Sequence, residues 1–156
     1  MVEVIVTHKL VRVSSPYHPE FPSLARSLQG EWDKTHRRWT FPADMEEHVR
    51  ELLLEIYGMD SDDYVAVKVV YRISSDEAAG TQIFALGRQL ARRTRFNAAV
   101  RLGKEVSVLE GAFPQTGGSP AKPRLGGEGS YLLVQNVPLL LAEQAKADSP
   151  DHVKIG

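Results

Sequence analysis

The chain has 156 residues, 19 Lys plus Arg against 20 Asp plus Glu, 42% hydrophobic residues and no cysteine. That length supports one compact domain, or two small halves sharing a core, without a metal or disulfide staple. The missing cysteine excludes disulfide frameworks, Cys-ligated zinc, iron–sulfur clusters and thiol catalysis, and it fits a reducing, cytoplasmic setting.

Residues 2–13 alternate apolar and polar positions (Val2, Val4, Val6, then Leu10, Val11, Val13), which predicts one or two strands. Pro16, Pro19 and Pro22 interrupt pairing and lead into a helix over about residues 20–29, with Phe21, Leu24, Ala25 and Leu28 at helical spacing and Gly30 in the capping position. Residues 31–33 and 38–41 flank a polar tip, Lys34-Thr35-His36-Arg37, as in a β-hairpin. If Asp33 pairs with Arg38, Trp32 lies opposite Trp39, and Phe41 shares their face by the two-residue period of a strand. A second helix is predicted over 43–57 from Met45, Val49, Leu52, Leu53 and Ile56, with acids in its first turn and Gly58 after it.

Asp60–Asp63 read as a polar turn and residues 64–73 as a strand. Residues 82–95 stay open between helix and strand: Ile83, Leu86 and Leu90 suit a helix, Gly87 weakens it, and alternation suits a strand nearly as well. Val100–Phe113 reads as a strand with a possible turn at Gly103-Lys104, residues 114–130 as a long mobile Gly/Pro/Ser loop, 131–137 as a strand, and 139–147 as a last helix before a frayed tail. The expectation is a single compact α+β domain over 1–156. It divides into a helix–β-hairpin–helix subdomain (1–60), packed with a mainly antiparallel, β-rich second half (61–147).

Charge is unevenly distributed. Eight acids and one strong base, Arg50, fall between Asp44 and Asp63, whereas Arg88, Arg92, Arg93, Arg95, Arg101 and Lys104 run together without an acid. As a helix the run makes a stripe of Arg88, Arg92 and Arg95; as a strand it puts Arg88 and Arg92 on one side. Planar guanidinium forks suit phosphate. Neutralisation by the acidic helix, or by an acidic protein partner, remains open beside nucleic acid. Lys34 and Arg37 at the hairpin tip, and Lys122 and Arg124 in the loop, are further phosphate candidates at the edges of this track.

The stretch 21–58, FPSLARSLQGEWDKTHRRWTFPADMEEHVRELLLEIYG, carries Leu28, Gly30, Trp32, Arg38, Trp39, Phe41 and Pro42 in a pattern that resembles the HARP module of annealing helicases. Similar small modules lie beside primases and DNA-processing proteins on plasmids and other mobile elements. The resemblance implies a helix–hairpin–helix unit working on DNA, over about a quarter of the chain. The helicase motor is missing, since no G-x-x-x-x-G-K-[ST] phosphate loop occurs.

The five histidines show no metal-ligand spacing, and no G-x-S-x-G elbow occurs. The reading is therefore a non-catalytic, sequence-independent nucleic-acid-binding accessory protein, with no cofactor, no metal and no membrane. The alternatives are an adaptor or inhibitor acting on a host protein and, third, a metal-dependent nuclease or hydrolase.

Overall fold

The computed structural model describes residues 2–60 and 64–156. The chain forms two units, Met1–Val65 and Ala66–Gly156, each mixing helices with antiparallel sheet, so the α+β class holds. Most of the polar turn expected at 60–63 lies outside the described residues.

The first unit runs β1 (Glu3–Val6), β2 (Leu10–Ser14), α1 (Phe21–Ser27), β3 (Glu31–Asp33), β4 (Arg38–Pro42), a 3₁₀ turn (Ala43–Met45) and α2 (Glu46–Tyr57). Its strands lie in the order β1-β2-β4-β3, all antiparallel. Val11 pairs with Phe41 and Val13 with Trp39, so one face of the sheet is apolar. Phe21 and Ala25 of α1, one turn apart, and Val49, Leu52, Leu53 and Ile56 of α2 close over that face. Gly58 takes the left-handed position that ends α2, with φ 69°.

The role expected of Gly30 is filled by its neighbour. Gln29 adopts the left-handed conformation after α1 (φ 63°). Gly30 is instead a point of close approach, where a Cβ would sit 2.6 Å from the Ala25 carbonyl oxygen and 2.7 Å from the Phe41 ring.

The hairpin has the expected register, with Trp32 opposite Trp39 and Asp33 opposite Arg38. The two indoles diverge in burial all the same: Trp39 is 6% exposed and Trp32 46%, because Trp32 sits on the edge strand. Trp39→Ala is therefore expected to cost about 3–5 kcal/mol, and Trp32→Ala a small fraction of that. Urea unfolding of the two variants checks the contrast.

Beside Trp32 an open cleft of about 120 Å³ is lined by Tyr17, His18, Phe21 and Tyr57 among others. The Tyr57 hydroxyl donates to the Pro16 carbonyl at 2.6 Å, and Nδ1 of His18 accepts from the Glu20 backbone N–H at 3.1 Å. Burial pushes the His18 pKa below 6.5, against the pull of Glu20, and the bond accepted at Nδ1 likewise needs the neutral ring. The unfolded chain then takes up the proton more readily than the folded one. The His18 contribution is full above the unfolded pKa of 6.5 and is lost as pH falls through the lower folded value. His18→Asn, which keeps an acceptor but cannot titrate, should flatten that part of the pH profile in urea unfolding measured between neutral and mildly acidic pH.

The second unit comprises β5 (Ala66–Arg72), α3 (Ser75–Ala79), β6 (Gln82–Ala85), β7 (Arg88–Arg92), β8 (Arg101–Leu102), β9 (Val106–Glu110), β10 (Tyr131–Pro138), α4 (Leu139–Asp148) and β11 (Val153–Ile155). Its main sheet has the order β11-β5-β10-β9, antiparallel throughout. The succession β5-α3-β9-β10-α4-β11 with that order is a split βαβ arrangement. A separate three-stranded sheet, β6-β7-β8, is inserted in its first crossover. Ala78 of α3 and Ala142 of α4 pack with Val69, Leu132, Val134 and Val153, so both helices share a core with one face of the main sheet.

Several expectations change here. Of residues 82–95, Gln82–Arg92 form a β-hairpin: Leu86 and Gly87 both have positive φ (56° and 72°), the two-residue turn that matches strand twist, so the glycine that weakened a helix closes a hairpin. Val100–Phe113 is two strands in two different sheets, broken at Gly103, where a Cβ would lie 1.9 Å from the Gln89 carbonyl oxygen. The tail expected to fray contributes β11, whose Val153 is 3% exposed and pairs with Tyr71. Helix α3, unforeseen, starts with a capping box: Ser74 Oγ accepts from the Glu77 N–H at 3.2 Å, and Glu77 Oε1 accepts from the Ser74 N–H at 2.9 Å.

Candidate nucleic-acid interface

The inserted sheet sorts the basic run into different fates. Ile83, Leu90 and Ala91 are at most 1% exposed and belong to the core, so the sheet's other face looks outward. On that outward face Arg92 lies opposite Gln82 on one side and opposite Arg101 on the other. Gln89 Nε2 donates to Gln82 Oε1 at 2.9 Å on the same face, and Phe84 is registered against Gln89. Directly opposed residues on adjacent antiparallel strands bring their Cβ atoms to about 5 Å, a destabilising placement for like charges.

An irregularity decides which arginines share this face. The register shifts between Ile83 and Phe84, so β7 holds one residue more than β6 over that step. The extra residue reverses the in–out phase. Arg88, opposite Ala85, therefore faces the side away from Arg92, contrary to the same-side strand reading and to the helical stripe. Its guanidinium donates to the Gln135 carbonyl at 3.0 Å and the Asn136 carbonyl at 2.7 Å, at the irregular stretch of β10.

Arg93 does not belong to a surface track. It is 1% exposed, and its guanidinium donates to the carbonyls of Ala98 (2.7 Å), Pro114 (2.7 Å), Gln115 (3.2 Å) and Leu125 (2.9 Å). Burial pushes its pKa down from the ordinary arginine value. The strand period carried a signal for this, since the alternation Ala91 in, Arg92 out continues to Arg93 in.

The same side chain ties down residues 114–130. Gly117 N–H donates to the Phe96 carbonyl at 2.8 Å, Leu125 N–H to the Gly80 carbonyl at 2.8 Å, and Leu125 is fully buried. The segment is therefore anchored at the end of β7, which a linker of its composition would not be. Arg124, adjacent to the buried Leu125, is held near that strand end, and Lys122 lies in the exposed turn from Ser119.

Arg92, Arg95, Arg101, Lys104, Lys122 and Arg124 are all exposed. Among the described residues no carboxylate comes within 4.0 Å of any of their charged groups, and the ion pairs found there lie in the first unit, at Asp33, Glu46 and Asp60. Arg50 engages Glu46 at 3.0 Å and Asp60 at 3.6 Å, so part of the acidic segment is satisfied by its own base.

Lys34 and Arg37 are exposed on the first unit's hairpin tip, in a turn built by Asp33. Its carboxylate accepts from the Thr35 N–H at 3.0 Å and meets His36 Nδ1 at 2.8 Å, whereas Arg38 Nε stands 3.9 Å away. The His36 bond leads the causes that hold the Asp33 pKa below 3.8.

Among the described residues no three His, Asp or Glu side chains gather as a metal site, and no helix is long and apolar enough to cross a membrane. Compared with known proteins, the chain matches no family model, no curated protein and no solved structure.

Proposed function

We propose that the protein binds nucleic acid without sequence readout, as a non-catalytic accessory factor of DNA metabolism on a mobile element, with single strands or junctions as its targets. One observation carries this reading: Arg92 and Arg101 are held face to face on adjacent strands, exposed, with no carboxylate of the described residues in ion-pair range. Such a pair works against the fold unless an external anion neutralises it. Phosphate is the anion that arginine forks suit best. Arg95, Lys104 and Arg124 flank the pair in sequence or through the Arg93 anchor, and the half-buried Phe84 and Phe96 add aromatic surface. The resemblance of residues 21–58 to a HARP module, a helix–hairpin–helix unit working on DNA, supports the same reading, with Lys34 and Arg37 as separate cationic contacts.

A protein adaptor is the second reading. In its favour, α2 displays Glu47, Glu51 and Glu55 on exposed positions, a stripe suited to a basic partner surface. Fluorescence anisotropy of a labelled 20-nucleotide single strand, with a duplex of the same length as comparison, separates the two. Binding at 50 mM salt with preference for the single strand is expected; no binding of either at that salt eliminates the nucleic-acid reading.

A further inference from the structure

The main sheet of the second unit has a face that its helices do not cover. Even-numbered residues of β5 (Lys68, Val70, Arg72) point away from the core residues Val67, Val69 and Tyr71. The register continues this face across the sheet. Lys154 of β11 is opposite Val70, which is opposite Leu133 of β10, which is opposite Ser107 of β9. One step along, Arg72 is opposite Tyr131, which is opposite Glu110.

Two strips result. Lys68, Lys154 and Arg72 form a cationic edge over β5 and β11, at steps of about 7 Å along the strand direction. Val70, Leu133 and Tyr131 form an apolar strip beside it, half-buried and outside the core cluster. The three cations are exposed, and no carboxylate of the described residues lies within 4.0 Å of their charged groups.

We propose that this open face is a second contact surface for a single-stranded polynucleotide, with Lys68, Lys154 and Arg72 on its phosphates and Tyr131 stacking an unpaired base. The inference rests on the nucleic-acid reading above, and it assigns to it residues that the basic run does not contain. The occupant must be anionic along one edge and flat and apolar along the other. An unpaired strand has that chemistry, because its phosphates and bases lie on opposite sides of the sugar. A duplex keeps its bases stacked inside and offers Tyr131 nothing.

The test compares the full chain with Lys68→Gln/Lys154→Gln, Tyr131→Ala and Arg92→Glu/Arg101→Glu, using a labelled oligo-dT single strand, a duplex of equal length and poly-glutamate as competitor. The lysine pair is expected to weaken single-strand binding about tenfold and to lower the slope of log K against log salt by about 1.4, or about 0.7 per phosphate lost. Tyr131→Ala is expected to weaken it about tenfold or more with the slope unchanged, as loss of stacking does. The lysines are exposed, so their variant reads the surface even if Tyr131→Ala disturbs folding.

Loss on Arg92→Glu/Arg101→Glu with wild-type behaviour of the lysine variant would overturn this surface while leaving the nucleic-acid function intact. Absence of binding by the unmodified chain would overturn that function itself. Equal affinity for duplex, or displacement by poly-glutamate as effective as by unlabelled single strand, would overturn the assignment of an unpaired strand as the occupant.

Discussion

Arg93→Met is expected to destabilise the second unit by about 3 kcal/mol, because one buried and three part-buried backbone carbonyls lose their donor at once. The guanidinium is the meeting point of segments far apart in sequence: strand β7 supplies it, and its acceptors come from Ala98, from Pro114 and Gln115, and from Leu125. Methionine matches the length of the stem but leaves four carbonyl oxygens to find other donors. A backbone acceptor buried without a partner costs about 1–3 kcal/mol. One wild-type atom already bears such a cost, because Arg93 Nε is buried with no hydrogen-bond partner among the described residues. Against a total stability of about 5–15 kcal/mol for a domain, the expected loss is large. Arg93→Lys keeps the charge but not the planar fork, so it should recover little of it. Urea unfolding gives the magnitude, and limited proteolysis should show new cleavage between residues 114 and 126. An unchanged unfolding midpoint would mean that the anchor does not hold the loop.

Arg101→Glu is expected to move stability and binding in opposite directions. Opposite Arg92 it converts a repelling cross-strand pair into an attractive one, a gain of about 0.2–1 kcal/mol in the fold. The same change removes one phosphate contact and sets a carboxylate beside the remaining arginine, so affinity for a single strand should fall at least about tenfold at low salt. A variant that is both more stable and less active identifies a site where charge is arranged for a ligand at the expense of the fold. Thermal unfolding at low salt and oligonucleotide anisotropy on the same sample read the two signs. A loss of stability would show that Arg101 already has a compensating partner.

Local pattern made the first unit largely legible. The tip residues between Asp33 and Arg38 fixed the hairpin register, and with it the Trp32–Trp39 pair. Helix α2 announced itself through Val49, Leu52, Leu53 and Ile56 on one stripe. What the pattern could not convey was the edge position of β3, which leaves Trp32 half exposed although it shares a face with buried Trp39. In the second unit the decisive features are non-local. Nothing around residues 100–113 tells that Val106 pairs with Val134 while Leu102 pairs with Ala91, because each half satisfies a different sheet. The role of Arg93 depends on carbonyls up to 32 residues away.

The basic run was visible as composition; Arg92 outward and Arg93 inward follow plain two-residue alternation, whereas the turning of Arg88 away from Arg92 follows from one extra residue in β7. Two-residue alternation is the right rule there, and the register shift between Ile83 and Phe84 resets its phase. Helix α3 was within reach of local reading, since Ser74 and Glu77 have the spacing of a capping box.

The nucleic-acid reading stands on Arg92 and Arg101 as an exposed cationic pair, with no carboxylate of the described residues in ion-pair range, for external phosphates to neutralise. Its decisive check is the salt dependence of single-strand binding, measured from about 50 to 200 mM for the unmodified chain and for Arg92→Glu/Arg101→Glu. A linear fall of log K with log salt is expected for the unmodified chain, and for the variant a slope smaller by at least about 1.4 together with near-complete loss of affinity. Equal slopes and equal affinities for the two proteins would contradict it.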